Sequence, residues 1–219
     1  RQARNHSKEK VMASGLFISL EGIDGVGKST QSDLLEEFLR AQGREVVRTL
    51  EPGGTELGQE IRHLLLHRKG DVAPRAEALL YAADRAHHVA SKIRPALARG
   101  EVVITDRYLD SSVAYQGVGR DLCAEDVRAI SMFAVEGLLP DLTILLDLEA
   151  SAAAERRSNT GEAPDRLERE KIEFFEAVRQ AYLDMAAAEP KRWLVIDARQ
   201  TVEEMQAQIR ARVTQLLGA

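Results

Sequence analysis

The sequence predicts an α/β fold in which a five-stranded parallel sheet carries helices on both faces. Three observations predict it. Short apolar runs alternate with longer helical patterns along the 219 residues, as parallel strands require because each crossover needs a helix. Val102-Val103-Ile104 and Ile144-Leu145-Leu146 are apolar throughout, as in strands buried on both sides. The first apolar run also passes directly into a glycine-rich loop and then a helical pattern.

Taken in order, Leu16–Leu20 reads as the first strand. Ser29–Gln42 reads as the first helix, with Leu34, Leu35, Phe38 and Leu39 on one face. Val46–Leu50 is the second strand, and helical patterns at Glu56–His67 and Arg75–Arg99 lead to the third, Val102–Thr105. Ala124–Glu136 precedes the fourth strand, Leu142–Leu146. Ala150–Arg157 and Asp165–Ala187 flank a polar insert, Ser158–Pro164, whose Gly/Pro content and bordering arginines make it a candidate lid. Trp193–Ile196 is the fifth strand and Val202–Leu217 the last helix. No internal repeat or low-complexity linker divides the chain.

Gly22-Ile23-Asp24-Gly25-Val26-Gly27-Lys28-Ser29-Thr30 fits G-x-x-x-x-G-K-[ST], and it lies between a strand and a helix. That context converts the pattern into a phosphate loop. Glycines let backbone N–H groups converge on phosphate oxygens, and the helix N-terminus adds the positive end of its dipole. Lys28 is placed to reach the β- and γ-phosphates of a bound nucleoside triphosphate, and the Ser29 hydroxyl to ligate Mg²⁺.

Composition excludes other classes. Thirty Lys and Arg against 35 Asp and Glu leave a formal charge of −5, with no basic excess for coating nucleic acid. No apolar run approaches the ~20 residues that span a bilayer. Residues 1–14 are expected to be a tail, either native and disordered or a cloning remnant. Its polar, mixed-charge start is not a secretory signal, and Met12 is a candidate natural start. A single cysteine, Cys123, rules out an internal disulfide and a multi-cysteine zinc site. The expected compartment is the cytoplasm.

Further constellations lie at the strand ends. Asp106-Arg107-Tyr108 closes the third strand, where a carboxylate beside a phosphate loop can hold Mg²⁺ directly or through water. The neighbouring guanidinium offers a planar fork for a second phosphate; a strand-end salt bridge is the alternative. Glu51-Pro52-Gly53-Gly54-Thr55 forms a rigid turn after the second strand, by itself no more than a strand-to-helix connection. Tyr81 and Arg85 share a helix face and could stack on and hydrogen-bond a nucleobase, although a core tyrosine with a surface arginine is the ordinary reading. Ser111, Ser112, Tyr115 and Gln116 supply hydroxyls and an amide near the same strand end. His87 and His88 point apart, and His63 and His67 lack the carboxylate of a zinc-binding helix.

Together, Glu21-Gly-Ile-Asp-Gly-Val-Gly-Lys-Ser-Thr30, Glu51-Pro-Gly-Gly-Thr55, Tyr81-Ala-Ala-Asp-Arg85, Asp106-Arg-Tyr108, Ala114-Tyr-Gln-Gly117 and Pro140-Asp-Leu-Thr143 resemble the thymidylate kinases, from about Leu16 to about Leu216. The resemblance implies a three-layer phosphate-loop kinase fold. It makes residues 15–219 one kinase domain with a lid at about 156–166, which transfers phosphate from ATP to dTMP with Mg²⁺ as a homodimer. It implies that Asp24 holds the acceptor sugar, that Tyr81 stacks on thymine and that Arg85 reads a thymine edge. Arg107 would bind the acceptor phosphate, and Tyr115 would exclude a ribose 2′-hydroxyl. Glu51 and Pro52, with a cis bond between them, would shape the acceptor floor beside Ser112 and Gln116, and Asp165–Glu168 would form the lid hinge.

Two departures stand out. Relatives often carry Arg where this chain has Leu50, and Arg48, two residues earlier on the same strand face, is the candidate substitute. The phosphate loop lacks an arginine, and so does the insert Ser158–Pro164, which leaves Arg156 and Arg157 as candidates for the catalytic cation. Another phosphate-loop kinase of small molecules, such as a deoxynucleoside or adenylate kinase, is the alternative enzyme. A nucleotide-dependent switch is a weaker one, because neither an N-K-x-D motif nor a serine-glycine-glycine signature is present.

Overall fold

The computed structural model describes residues 15–120, 122–159 and 163–218. The expected tail, 1–14, and the middle of the candidate lid, 160–162, lie outside the described residues. Strands β1 (Leu16–Glu21), β2 (Val46–Leu50), β3 (Val102–Asp106), β4 (Leu142–Asp147) and β5 (Trp193–Asp197) pair in parallel in the order β2-β3-β1-β4-β5. β1, β3 and β4 are central and buried almost throughout, whereas the edge strands β2 and β5 are only partly buried. This is why the central runs read as unbroken hydrophobic sequence.

Side chains alternate across the sheet. Leu16, Ile18 and Leu20 enter one core with Leu35, Leu39, Tyr182 and Ile209, while Phe17 enters the other with Val103, Tyr108 and Ile93. The Phe17 and Tyr108 rings meet edge to face at 4.9 Å. Pro140-Asp-Leu-Thr143 has a structural part: Asp141 Oδ2 accepts from Phe17 N at 2.7 Å, and Thr143 Oγ1 accepts from Ser19 at 3.1 Å.

The helices follow the predicted order with several differences. α1 (Lys28–Ala41) and α2 (Glu56–Arg62) are joined by β2, and α2 continues as a π-turn, His63–His67. The predicted helix Arg75–Arg99 is α3 (Pro74–His88), a π-turn at Val89–Ile93 and α4 (Arg94–Ala98). Pro95 has no N–H to give the preceding turn, which widens to accommodate it. α5 (Leu109–Ser112) runs into a π-turn at Val113–Val118. No amphipathic period marks this segment in the sequence, because Leu109 to Gly117 are all buried.

Beyond it, α6 (Ala124–Ala134) stops two residues short of expectation. α7 (Ala150–Ser158), α8 (Ile172–Ala188) and α9 (Val202–Leu217, with a capping box at Thr201 and Glu204) complete the chain. The predicted helix Asp165–Ala187 is corrected: it begins only at Ile172. Asp165 Oδ1 accepts from the backbone N–H groups of Leu167 and Glu168 at 2.8 and 2.9 Å, and Glu168 returns a bond to Asp165 N. This local bonding folds Asp165–Glu168 into a turn in competition with helix.

Candidate active site

The carboxyl ends of β1, β2 and β3 converge, and at that edge of a parallel sheet ligands bind. Leaving β1, the loop reaches α1 through Gly27, whose left-handed φ of 98° turns the chain into the helix. Gly25 must also lack a side chain, since a Cβ there would lie 2.6 Å from the Ala153 carbonyl oxygen of α7. No acidic residue occupies the first turn of α1, so its dipole end remains positive toward the loop. Lys28 is buried, and its Nζ donates to the Gly22 and Ile23 carbonyls at 3.1 and 3.2 Å. Burial pushes its ammonium down, as does Arg107, while Asp106, Asp24 and Glu21 oppose this. Ser29 and Thr30 are exposed at the mouth.

Arg107 joins this loop to a second cleft. Its φ of 68° is left-handed, a strain of order 1–3 kcal/mol that persists only where the surroundings hold it. Here Arg107 N donates to Leu20 O at 2.9 Å, and Thr105 Oγ1 donates to Arg107 O at 2.9 Å. The guanidinium donates to Asp24 Oδ1 (2.9 Å), Ser111 Oγ (3.2 Å), Tyr182 Oη (3.2 Å) and Tyr115 Oη (3.3 Å), and lies over the Tyr115 ring. Burial favours neutral Asp24, but Arg107, Lys28 and Arg157 outweigh it and hold the carboxyl at about 2.

The cleft has an accessible volume of about 90 Å³. Tyr81, Pro52 and Leu66 give it apolar walls, and Arg85, Ser112 and Gln116 supply polar groups. Arg85 departs from the ordinary surface reading: it is buried, because Glu51 (2.6 Å), Ser112 (3.1 Å) and the Tyr108 carbonyl (3.2 Å) satisfy its guanidinium. Glu51 in turn meets His88 at 2.8 Å, and His88 meets Thr49 at 2.6 Å. The peptide bond before Pro52 is cis. The turn after β2 is therefore more than a connection, since Glu51 and Pro52 both line the cleft. Asp84 accepts from Gly53 N at 3.0 Å, and burial together with Glu51 raises its carboxyl to about 6.

Arg48 does not compensate for Leu50. It is engaged with Asp33 at 3.1 Å and Glu36 at 3.9 Å on α1, the sheet face that its strand register dictates. Arg62 of α2 brings a guanidinium to the cleft instead, donating to Pro52 O at 2.9 Å. On α7, Arg156 donates to the Ala198 carbonyl at 3.0 Å. Arg157 lies toward the phosphate loop, its guanidinium 5.1 Å over the Phe175 ring and its charge felt by Asp24. Asp165 and Leu167 also line the cleft. The sequence carried no signal for Arg62, Leu66 or Tyr182, which reach the site from distant elements.

Asp106 Oδ1 is buried without a hydrogen-bond partner, and its charge acts on Lys28. That orphaned oxygen and the exposed Ser29 hydroxyl fit a Mg²⁺ site in which nucleotide phosphates and water complete the shell. Among the described residues no cluster of three or more His, Cys, Asp or Glu could hold a metal alone, and no helix is long and apolar enough to cross a membrane.

The chain is similar to known thymidylate kinases. The sequence model described as thymidylate kinase matches residues 20–209. The thymidylate kinase of Leifsonia xyli subsp. xyli is 65% identical over 199 residues, covering 91% of this chain and 94% of the relative. That of Clavibacter sepedonicus is 62% identical over 206 residues, covering 94% and 98%. The crystal structure of thymidylate kinase from Ehrlichia chaffeensis superposes with a TM-score of 0.75 at 30% identity, covering 91% of this chain and 99% of the other.

Proposed function

The chain belongs to the thymidylate kinase family, and from that premise we propose how its own residues carry out the reaction. The reaction is phosphorylation of dTMP with ATP as donor, giving dTDP. The alternatives, an adenylate or deoxynucleoside kinase and a nucleotide switch, are not favoured by relatives this similar over almost the whole chain.

The observation that carries the assignment of roles is the 2.9 Å bond between Arg107 and Asp24. It fastens the inner end of the cleft to the phosphate loop, so an acceptor held there presents its phosphate to the end of the donor. In this reading the loop Gly22–Thr30 cradles the ATP phosphates, and Lys28 exchanges its loop carbonyls for them. Tyr81 stacks on thymine, while Arg85, Ser112 and Gln116 meet the polar base edges. Asp24, ionised throughout the physiological range, takes the sugar 3′-hydroxyl, and Tyr115 closes the space a 2′-hydroxyl would need. Arg107 takes the acceptor phosphate, and Arg157 brings the cation that the loop lacks.

Positioning and charge neutralisation supply most of the catalysis in phosphoryl transfer. The acceptor phosphate oxygen is already anionic at neutral pH, so no general base is needed. Mg²⁺, held by Ser29 and through water by Asp106, would offset phosphate charge. The segment between α7 and α8 acts as the lid that keeps water from accepting the phosphate.

We also infer a homodimer. The resemblance implies one, and Phe133 on α6 and Leu79 on α3 stand 87% and 56% exposed, apolar side chains that a partner would cover. A cytoplasmic site of action agrees with the exposed free thiol of Cys123.

A coupled assay with ATP and each nucleoside monophosphate tests the activity. Turnover with dTMP far above AMP and dCMP is expected; turnover with AMP and none with dTMP would overturn it. Lys28→Met and Arg107→Ala are expected to remove turnover from a folded protein, and near-normal kcat in either would sink the roles assigned here.

A further inference from the structure

Glu21 ends β1, immediately before the phosphate loop, and is completely buried. Its three hydrogen bonds run to the Arg107 side of the site. Oε1 accepts from Tyr108 N at 2.9 Å, and Oε2 accepts from Ser111 Oγ at 2.6 Å and Tyr182 Oη at 3.1 Å. The same two hydroxyls receive Arg107 Nη1, each at 3.2 Å, and lie 2.8 Å from one another.

Proton counting gives this arrangement its meaning. A guanidinium only donates, and each hydroxyl has one proton. For Ser111 and Tyr182 to receive Arg107, their own protons must point elsewhere. When ionised, the carboxylate accepts only, so in that form it draws both protons toward itself and leaves the oxygen lone pairs facing the guanidinium. The third bond holds the backbone of Tyr108, the residue directly after the left-handed Arg107. One buried carboxylate thus fixes both the strained turn and the hydroxyls behind the cation.

We propose that Glu21 is a positioning residue for the acceptor phosphate, acting through Ser111, Tyr182 and the Tyr108 amide to aim Arg107. The proposal rests on the reading that Arg107 binds that phosphate, and it adds a group outside the phosphate-loop pattern to the acceptor machinery.

Glu21→Gln tests it at constant shape. Wherever the amide nitrogen sits, one acceptor is replaced by donors, which face the hydroxyls or Tyr108 N. The expected result is a folded enzyme with KM for dTMP raised and kcat lowered about 10- to 100-fold, and KM for ATP within about twofold of wild type. A double-mutant cycle on dTMP affinity reads the coupling. In an Arg107→Ala background, Glu21→Gln should cost less than about twofold. An equal loss in both backgrounds, or equal changes in the two KM values, would overturn the role of Glu21 while leaving that of Arg107 intact. Wild-type dTMP affinity in Arg107→Ala alone would overturn the premise itself. Should Glu21→Gln fail to fold, Ser111→Ala/Tyr182→Phe removes the relay directly. It should reproduce the split between dTMP and ATP, and wild-type kinetics there would defeat the proposal.

Discussion

Arg156 and Arg157 are adjacent in the sequence and divided by geometry. On a helix, neighbours point about 100° apart, and α7 sends Arg156 to the Ala198 carbonyl and Arg157 toward the phosphate loop. A cation supplied to the transition state in such enzymes is worth about 10³–10⁵ in kcat. Arg157→Ala is therefore expected to lower kcat by about 10³ in steady-state assays, and Arg156→Ala by no more than about threefold. A reversed order would exchange their roles. Glu21 makes a second prediction at this scale. Burial, reinforced by Asp110, raises its carboxyl from 4.5 to about 7, with Ser111, Arg107 and Tyr108 opposing; Tyr182 of α8 and Lys28 face it as well. Between those values the unfolded chain has lost the proton and the folded chain retains it, so stability falls as pH rises. Urea unfolding should show a loss of about 3 kcal/mol between pH 4.5 and 8 from this group, added to a smaller loss in the same direction from Asp84. Glu21→Gln should flatten the slope. Lys28, Arg107 and Asp24 were legible because each belongs to a contiguous motif. Glu21 was visible within its motif but had no role until Ser111 and Tyr182, 90 and 161 residues away, were placed beside it.

α3, the turn after α5 and the segment following the lid meet at one buried carboxylate. Glu77 accepts from Gln116 at 3.1 Å, from Arg120 at 3.3 Å and from Arg166. Arg166 also reaches the Leu65 carbonyl at 2.7 Å, and Arg120 reaches Glu170 at 2.5 Å. The carboxylate lies one helical turn before Tyr81, so the turn around Arg166 is tied to the helix that carries the cleft's aromatic wall. Removing the charge leaves two guanidinium groups facing a neutral side chain. Glu77→Gln is expected to cost about 3 kcal/mol, seen as a drop of roughly 6–12 °C in Tm, with a higher KM for dTMP; an unchanged Tm would show that the hinge is held otherwise. Helices with a polar outer face were recognisable from periodicity, α1 above all. The α5 segment is not, since burial on every side erases the period, and the turn at Asp165–Glu168 departs from the helix that its pattern predicts because its bonding depends on side chains rather than on hydrophobic spacing.

At the scale of the molecule, the parallel sheet gathers three strand ends, and the exposed α3/α6 face faces outward. Phe133→Glu should shift a dimer to monomer mass in sedimentation at micromolar concentration, leaving the fold intact. Monomeric wild-type protein under the same conditions would contradict the inferred assembly. The amino-acid sequence by itself determined the parallel α/β class, the phosphate loop and the ordered motifs that place the chain in its family, because these depend on local periodicity and on residues a few positions apart. Only the tertiary structure decided which bordering arginine faces the loop, that Arg48 is engaged with α1 while Arg62 lines the cleft, and which distant donors surround Glu21 and Glu77. Each of those outcomes depends on which distant side chains are packed together and on where buried polar groups find partners, and burial makes an unpartnered polar group too costly to leave to chance.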